Sequence, residues 1–146
     1  MYYIDQSIKI ENTSKTTYLA LANSKQIVIS ISAKEKRTLK LVFRQLNKPL
    51  IFKLFTFSLL VAKVIEQVRL QQVTVDKEYP GHEVDIKNYI TQLLLIAQKP
   101  VPQIYFQSIG KGNNAHLCAY NAHKNKTISL RISYAEVIKR YEQISL

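Results

Sequence analysis

The sequence predicts an α/β fold: a five-stranded mixed sheet, three antiparallel strands and then two parallel ones, with helices on both faces. Three observations predict it. The first third of the chain alternates β-rich runs with short polar turns, and connections that short join antiparallel strands. The middle switches to apolar residues at spacings of three and four, the period of a helix. Short β-type runs and helical stretches then alternate, the pattern of βαβ units. The 146 residues suit a single domain, with a core over about residues 1–125 and a C-terminal strand and helix tail over 126–146.

Each element has a local reason. Residues 2–10 are rich in Ile and Tyr and alternate loosely, and residues 11–15 are polar and turn-like. Residues 16–22 and 26–32 are the second and third strands, joined by Asn23-Ser24-Lys25. A helix follows Asn47, with Pro49 in its first turn, where a missing N–H costs nothing. Leu50, Leu54, Phe57, Val61, Val64 and Val68 line one face of it. Residues 73–78 form the fourth strand, closed by Pro80-Gly81. Glu83 and Asp85 open the next helix, where acids suit the positive end of the dipole, and Ile86, Ile90, Leu93 and Leu94 form its apolar face. Pro100 and Pro102 stop it. Residues 103–109 are the fifth strand, and residues 110–114 are a turn before a helix over 115–124 with small residues Ala115, Cys118, Ala119 and Ala122. Residues 127–132 read as extended. Ser133 and Glu136 make a capping-box pattern that opens a last helix, Tyr134–Ile144.

Charge narrows the partner. The chain has 21 Lys and Arg against 10 Asp and Glu, a net charge of +11, and such a surplus favours a polyanion. Residues 34–48 concentrate it in Lys34, Lys36, Arg37, Lys40, Arg44 and Lys48, with Glu35 as the one acid. The stretch reads either as a solvated loop or as a surface that contacts the phosphate backbone of nucleic acid. Lys111, between Gly110 and Gly112, joins that set, since a Gly-Lys-Gly turn lets a phosphate approach the backbone. The remaining positions of a P-loop are absent. Nine tyrosines and five phenylalanines make rings available for base stacking, although most apolar aromatics fall at periodic core positions.

Several classes are excluded. The single Cys118 permits neither an internal disulfide nor a paired-cysteine zinc site, and it fits a reducing compartment, so a cytoplasmic location is expected. Its small apolar neighbours assign it to packing rather than nucleophilic work. No Gly-x-Ser-x-Gly elbow is present. The most apolar segment, residues 50–65, contains Lys53 and Lys63 and is too short to span a bilayer. No basic start followed by an apolar run marks a secretory signal, and no membrane partner is expected.

The chemistry lies in the acids. Residues 1–7 and residues 73–81 share one design, an apolar β-run that ends in a carboxylate: Asp5 in one, Asp76 in the other, with Glu78 two residues on. If the two strands are neighbours, their ends bring the carboxylates together, and clustered carboxylates bind hard divalent cations. A carboxyl separation of about 4–7 Å would let one or two cations bridge Asp5 and Asp76. If the strand continues past Asp76, Glu78 faces the same side. His116 stands on the helix after the Gly-Lys-Gly turn.

The ordered set resembles the ribonuclease H-like superfamily over about residues 1–125. Ile4-Asp5-Gln6-Ser7 looks like the first-strand Asp-Gly-Ser or Asp-Pro-Gly of ribonucleases H and RuvC-type resolvases. Thr17 to Leu21 sits where their second strand begins, and Val73-Thr74-Val75-Asp76 looks like their acid-bearing fourth strand. Ala115 to Ala119 lies where RuvC-like members place a last acid or histidine. The resemblance implies Mg²⁺ or Mn²⁺ as cofactor, Asp5 bridging the metals, Asp76 holding the second, and His116 as terminal ligand or proton shuttle, with Glu78 also catalytic. The implied function is a metal-dependent nuclease or resolvase-like phosphodiesterase acting on RNA, DNA or a hybrid. The chain departs from ribonuclease H proper, whose first helix has an early glutamate; here that helix offers Lys53, Thr56 and Ser58, and its only acid is Glu66. The departure motivates an alternative, a degenerate binding module of the same fold that has lost catalysis. A protein-assembly module is the third reading, and it expects the apolar helix after Asn47 to be exposed in the monomer and to support a homodimer.

Overall fold

The computed structural model describes residues 1–23, 26–110, 112–125 and 130–144. Their order is β1 (Tyr2–Gln6), β2 (Thr17–Ala22), β3 (Gln26–Ile31), α1 (Ala33–Gln45), α2 (Pro49–Glu66), β4 (Gln72–Asp76), α3 (Glu83–Ile96), β5 (Gln103–Gln107), α4 (Asn114–Asn125), β6 (Leu130–Arg131) and α5 (Tyr134–Ile144). The fold is α/β with one mixed sheet, in the order β5-β4-β1-β2-β3-β6. β1, β2 and β3 form the expected antiparallel meander, and β4 and β5 extend it in parallel from β1.

Two elements differ from the sequence reading. The sheet has six strands among the described residues, not five, because β6 pairs in parallel with β3. The residues read as a tail therefore add an edge strand, and α5 contributes Val137 to the main core. The basic stretch is not a solvated loop but the helix α1. Ser32 caps it, its hydroxyl accepting the Glu35 N–H at 3.2 Å, and Lys36, Leu39 and Phe43 form the stripe that it buries. Asn47 ends it in the left-handed region at φ 58°, which asparagine tolerates.

The period of two sorts the strand residues onto two faces. Ile4, Leu19, Leu21, Ile29, Val73 and Val75 point into the larger core, roofed by α1, α2, α3 and α5. Most of α2 is buried there, which is why its sequence is apolar nearly all round. The apolar side expected to be exposed for assembly is thus inside the protein. Among the described residues the opposite face packs only α4, whose Ala119 and Ala122 lie on Tyr18, Ala20 and Val28. Small residues there bring the helix close to β1, β2 and β3. No helix among the described residues is long and apolar enough to cross a membrane.

Candidate functional site

β1 and β4 are adjacent and parallel, with Ile4 opposite Val75, so Asp5 and Asp76 end neighbouring strands in the middle of the sheet. The carboxyl ends of parallel strands are where open α/β sheets form their sites. Alternation turns both acids toward the face that α4 covers, since Ile4 and Val75 turn the other way.

Glu78 arrives by a different route from the one the sequence suggested. β4 stops at Asp76, and the Glu78 N–H turns back to the Asp76 carbonyl at 2.9 Å. This i to i+2 turn, rather than the pleat, returns the Glu78 side chain to the acids. Carboxylate oxygens of Asp5, Asp76 and Glu78 all lie within 4.8 Å of one another, so the three could hold a metal ion. That bound lies below the upper limit of about 7 Å that the sequence argument set for Asp5 and Asp76.

Each acid is braced. Asp5 is buried; one oxygen accepts its neighbour's Gln6 N–H at 2.8 Å, and the other meets His116 Nδ1 at 2.9 Å. Asp76 Oδ1 accepts the Ile109 N–H at 2.7 Å, tying the chain after β5 to the site. Burial pushes the Asp5 carboxyl above its ordinary value, and the nearby Asp76 charge adds to the effect. Glu78 is pushed up to about 9, first by burial and then by its hydrogen bonds with Asp76 and Asp5. Carboxylates this close repel one another when all are ionised, so the metal-free cluster keeps a proton.

All four predicted catalytic residues, Asp5, Asp76, Glu78 and His116, therefore meet. His116 stands outside the group of three and acts through Asp5. The predicted phosphate contacts divide. Lys34, Arg37, Lys40 and Arg44 are exposed along one side of α1. Lys36 is the correction. It is 0% exposed, and its Nζ donates to the Lys9 and Asn12 carbonyls and to Thr17 Oγ1. It pins the loop between β1 and β2 and cannot touch a nucleic acid backbone; burial brings its amine down to about 8. Lys111 lies outside the described residues.

The same loop supplies a cation that the sequence reading passed over, Lys9, and α2 adds Lys53 beside it. Lys9 Nζ donates to the Glu78 carbonyl at 3.2 Å and lies 5.7 Å from the centre of the Tyr79 ring, while Lys53 Nζ lies 5.6 Å from it. Tyr79 is buried and anchored, its hydroxyl donating to Glu11 and accepting the Ile10 N–H. Nothing local marks Lys9, because its place depends on how the loop folds against Tyr79. Cys118 is half-buried, and burial pushes its thiol up, away from a nucleophile's range.

No protein-family model, no curated protein and no solved structure matches this chain.

Proposed function

We propose that the protein is a metal-dependent phosphodiesterase that cuts nucleic acid, on a ribonuclease H-like frame. One observation carries the reading: three carboxylates within 4.8 Å at the ends of two adjacent parallel strands. An antiparallel meander continued by two parallel strands, with acids at the ends of the first and fourth, supports the frame. The donor set is oxygen throughout, which suits a hard dication such as Mg²⁺ or Mn²⁺. Asp5, Asp76 and Glu78 would hold it. Bound there, such an ion supplies Lewis-acid polarisation of a phosphoryl oxygen and a more acidic water.

The chain's own groups do the rest. Gln6 N–H and His116 fix the Asp5 carboxylate between them. With Nδ1–H directed at Asp5, the Nε2 of the half-exposed imidazole is the atom left to take or give a proton. Lys9, whose Nζ reaches the Glu78 carbonyl, puts a cation beside the acids, and the exposed bases of α1 add to the positive field that draws a phosphate backbone.

The test is cleavage of labelled RNA–DNA hybrid, single-stranded and branched substrates with Mg²⁺ or Mn²⁺, by parent, Asp5→Asn and Asp76→Asn. Cutting by the parent alone is expected. Equal cutting by all three would remove the acids from the mechanism. A second reading, a binding module without turnover, is favoured by α2, whose one carboxylate, Glu66, lies at its far end beside Lys63 and Arg140. It expects salt-sensitive binding and no cutting by the parent.

A further inference from the structure

The face that presents Asp5 and Asp76 is covered unevenly. α4 packs on β1, β2 and β3. On β5 the residues of that face, Gln103, Tyr105 and Gln107, are all exposed, while Ile104 and Phe106 turn into the main core. Tyr105 is 42% exposed. Strand register sets it beside the site. Thr74 stands opposite both Tyr3 and Tyr105, and Asp76 stands opposite Gln107. Tyr105 is therefore two residues, about 6.6 Å, along the strand from the acid row. Its hydroxyl donates to Gln103 Oε1 at 2.8 Å, which restrains the ring before any ligand arrives.

We propose that the exposed face of β5 carries a single strand of nucleic acid, with one base stacked on Tyr105 and the adjoining phosphate led past the buried Thr74 to the acid cluster. The inference rests on the phosphodiesterase reading and names its substrate class. An exposed ring flanked by amides on a sheet face offers a base both a stacking surface and hydrogen-bond partners, and a ring already restrained loses little entropy on stacking. Bases in a duplex are stacked on each other and cannot use it. The net charge of +11 supplies attraction to the backbone without regard to sequence. The Gln107 amide, level with Asp76, lies where it would meet the edge of the base next to the scissile phosphate.

The experiment is anisotropy titration of labelled oligo-dT, oligo-U and a hairpin duplex in EDTA, where no cutting occurs, with parent, Tyr105→Ala and Tyr105→Phe. Base–aromatic stacking is worth about 1–3 kcal/mol, so Tyr105→Ala should bind single strands roughly fivefold to a hundredfold more weakly. Tyr105→Phe, which keeps the ring and loses only the hydroxyl's bond to Gln103, should bind much closer to the parent than Tyr105→Ala does, and duplex binding should not change. The proposal is overturned if Tyr105→Ala binds single strands as tightly as the parent, if it loses duplex and single strand equally, or if the parent binds neither. A dimer that Tyr105→Ala dissociates, with no effect on oligonucleotide binding, would give the face to a second copy instead. Metal-dependent cutting is measured separately. Its absence with Tyr105-dependent binding intact sinks the enzyme reading alone; its presence with Tyr105→Ala unaffected in binding sinks only this one.

Discussion

The two faces of the sheet are built on different terms. One buries large side chains of five strands against four helices, with Phe55 set edge-on to Tyr89 and Tyr141. The other has one helix of small residues, the paired strand-end acids and an exposed tyrosine. The first face is where burial of apolar area holds the fold together. The second contains groups that burial alone disfavours: a buried carboxylate, a shared proton and a half-open histidine. The packed core and the candidate site are thus separated by the thickness of the sheet. Substitutions on one side should read out in unfolding and on the other in ligand binding.

The largest effect expected is Phe55→Ala. Truncating a fully buried phenylalanine costs about 3–5 kcal/mol, and this one also loses two ring–ring contacts. Urea unfolding should show that loss, while metal affinity per folded molecule stays at the parent value. A changed affinity would mean that the faces are coupled and the comparison fails.

Next comes the proton at Glu78. Its folded value, about 9, lies above the ordinary 4.5. A group raised in this way stabilises the fold fully below about 4.5, and the contribution is lost as pH rises toward 9. Urea midpoints of the metal-free parent should fall across that window relative to Glu78→Gln, which has no proton to lose. Mg²⁺ or Mn²⁺ should raise the melting temperature more at the alkaline end, because binding displaces the proton. Parallel profiles for parent and variant would show that the three carboxylates are not sharing it.

How much of this was legible depends on whether a signal was local. The antiparallel meander and the later alternation of strand and helix followed from short turns and from period-two and period-three-to-four patterning, and the two acid-tipped runs set the condition, adjacency of their strands, under which Asp5 meets Asp76. α1 was hidden because its five bases mask its apolar stripe, although Ser32 with Glu35 and the spacing of Leu39 and Phe43 already marked a helix. Lys36 looked like its neighbours; only its place on the stripe with Leu39 and Phe43 set it apart. Glu78 reached the site through a turn that pleat reasoning cannot anticipate. The exposure of Tyr105 is a tertiary fact, decided by how far α4 reaches across the sheet.

Lys36 tests the closed side without touching its apolar packing. Lys36→Met leaves the acceptors of Lys9, Asn12 and Thr17 without their donor, a loss of about 1–3 kcal/mol at neutral pH. The amine's folded value, about 8, lies below its ordinary 10.5, so the cost of burying its charge is present below about 8 and is relieved as pH rises toward 10.5. The parent should therefore gain stability over the variant across that window. A constant difference between the two would show that the amine is buried without being discharged.

His116→Ala should change stability least and the site most selectively. The imidazole is partly exposed and touches the acids only through Asp5 Oδ2, so the fold should lose little. Yet its partner is a buried carboxylate whose orientation it fixes, and removing such a brace typically weakens metal binding 10- to 100-fold. Calorimetric titration with Mn²⁺ and urea unfolding of the same sample decide the matter. His116→Gln, which keeps a donor for Asp5 but cannot transfer a proton, should recover part of the affinity and none of the cutting. Equal affinity in all three proteins would make the histidine a bystander; a large loss of stability in His116→Ala would instead make it part of the scaffold and erase the division between the two faces.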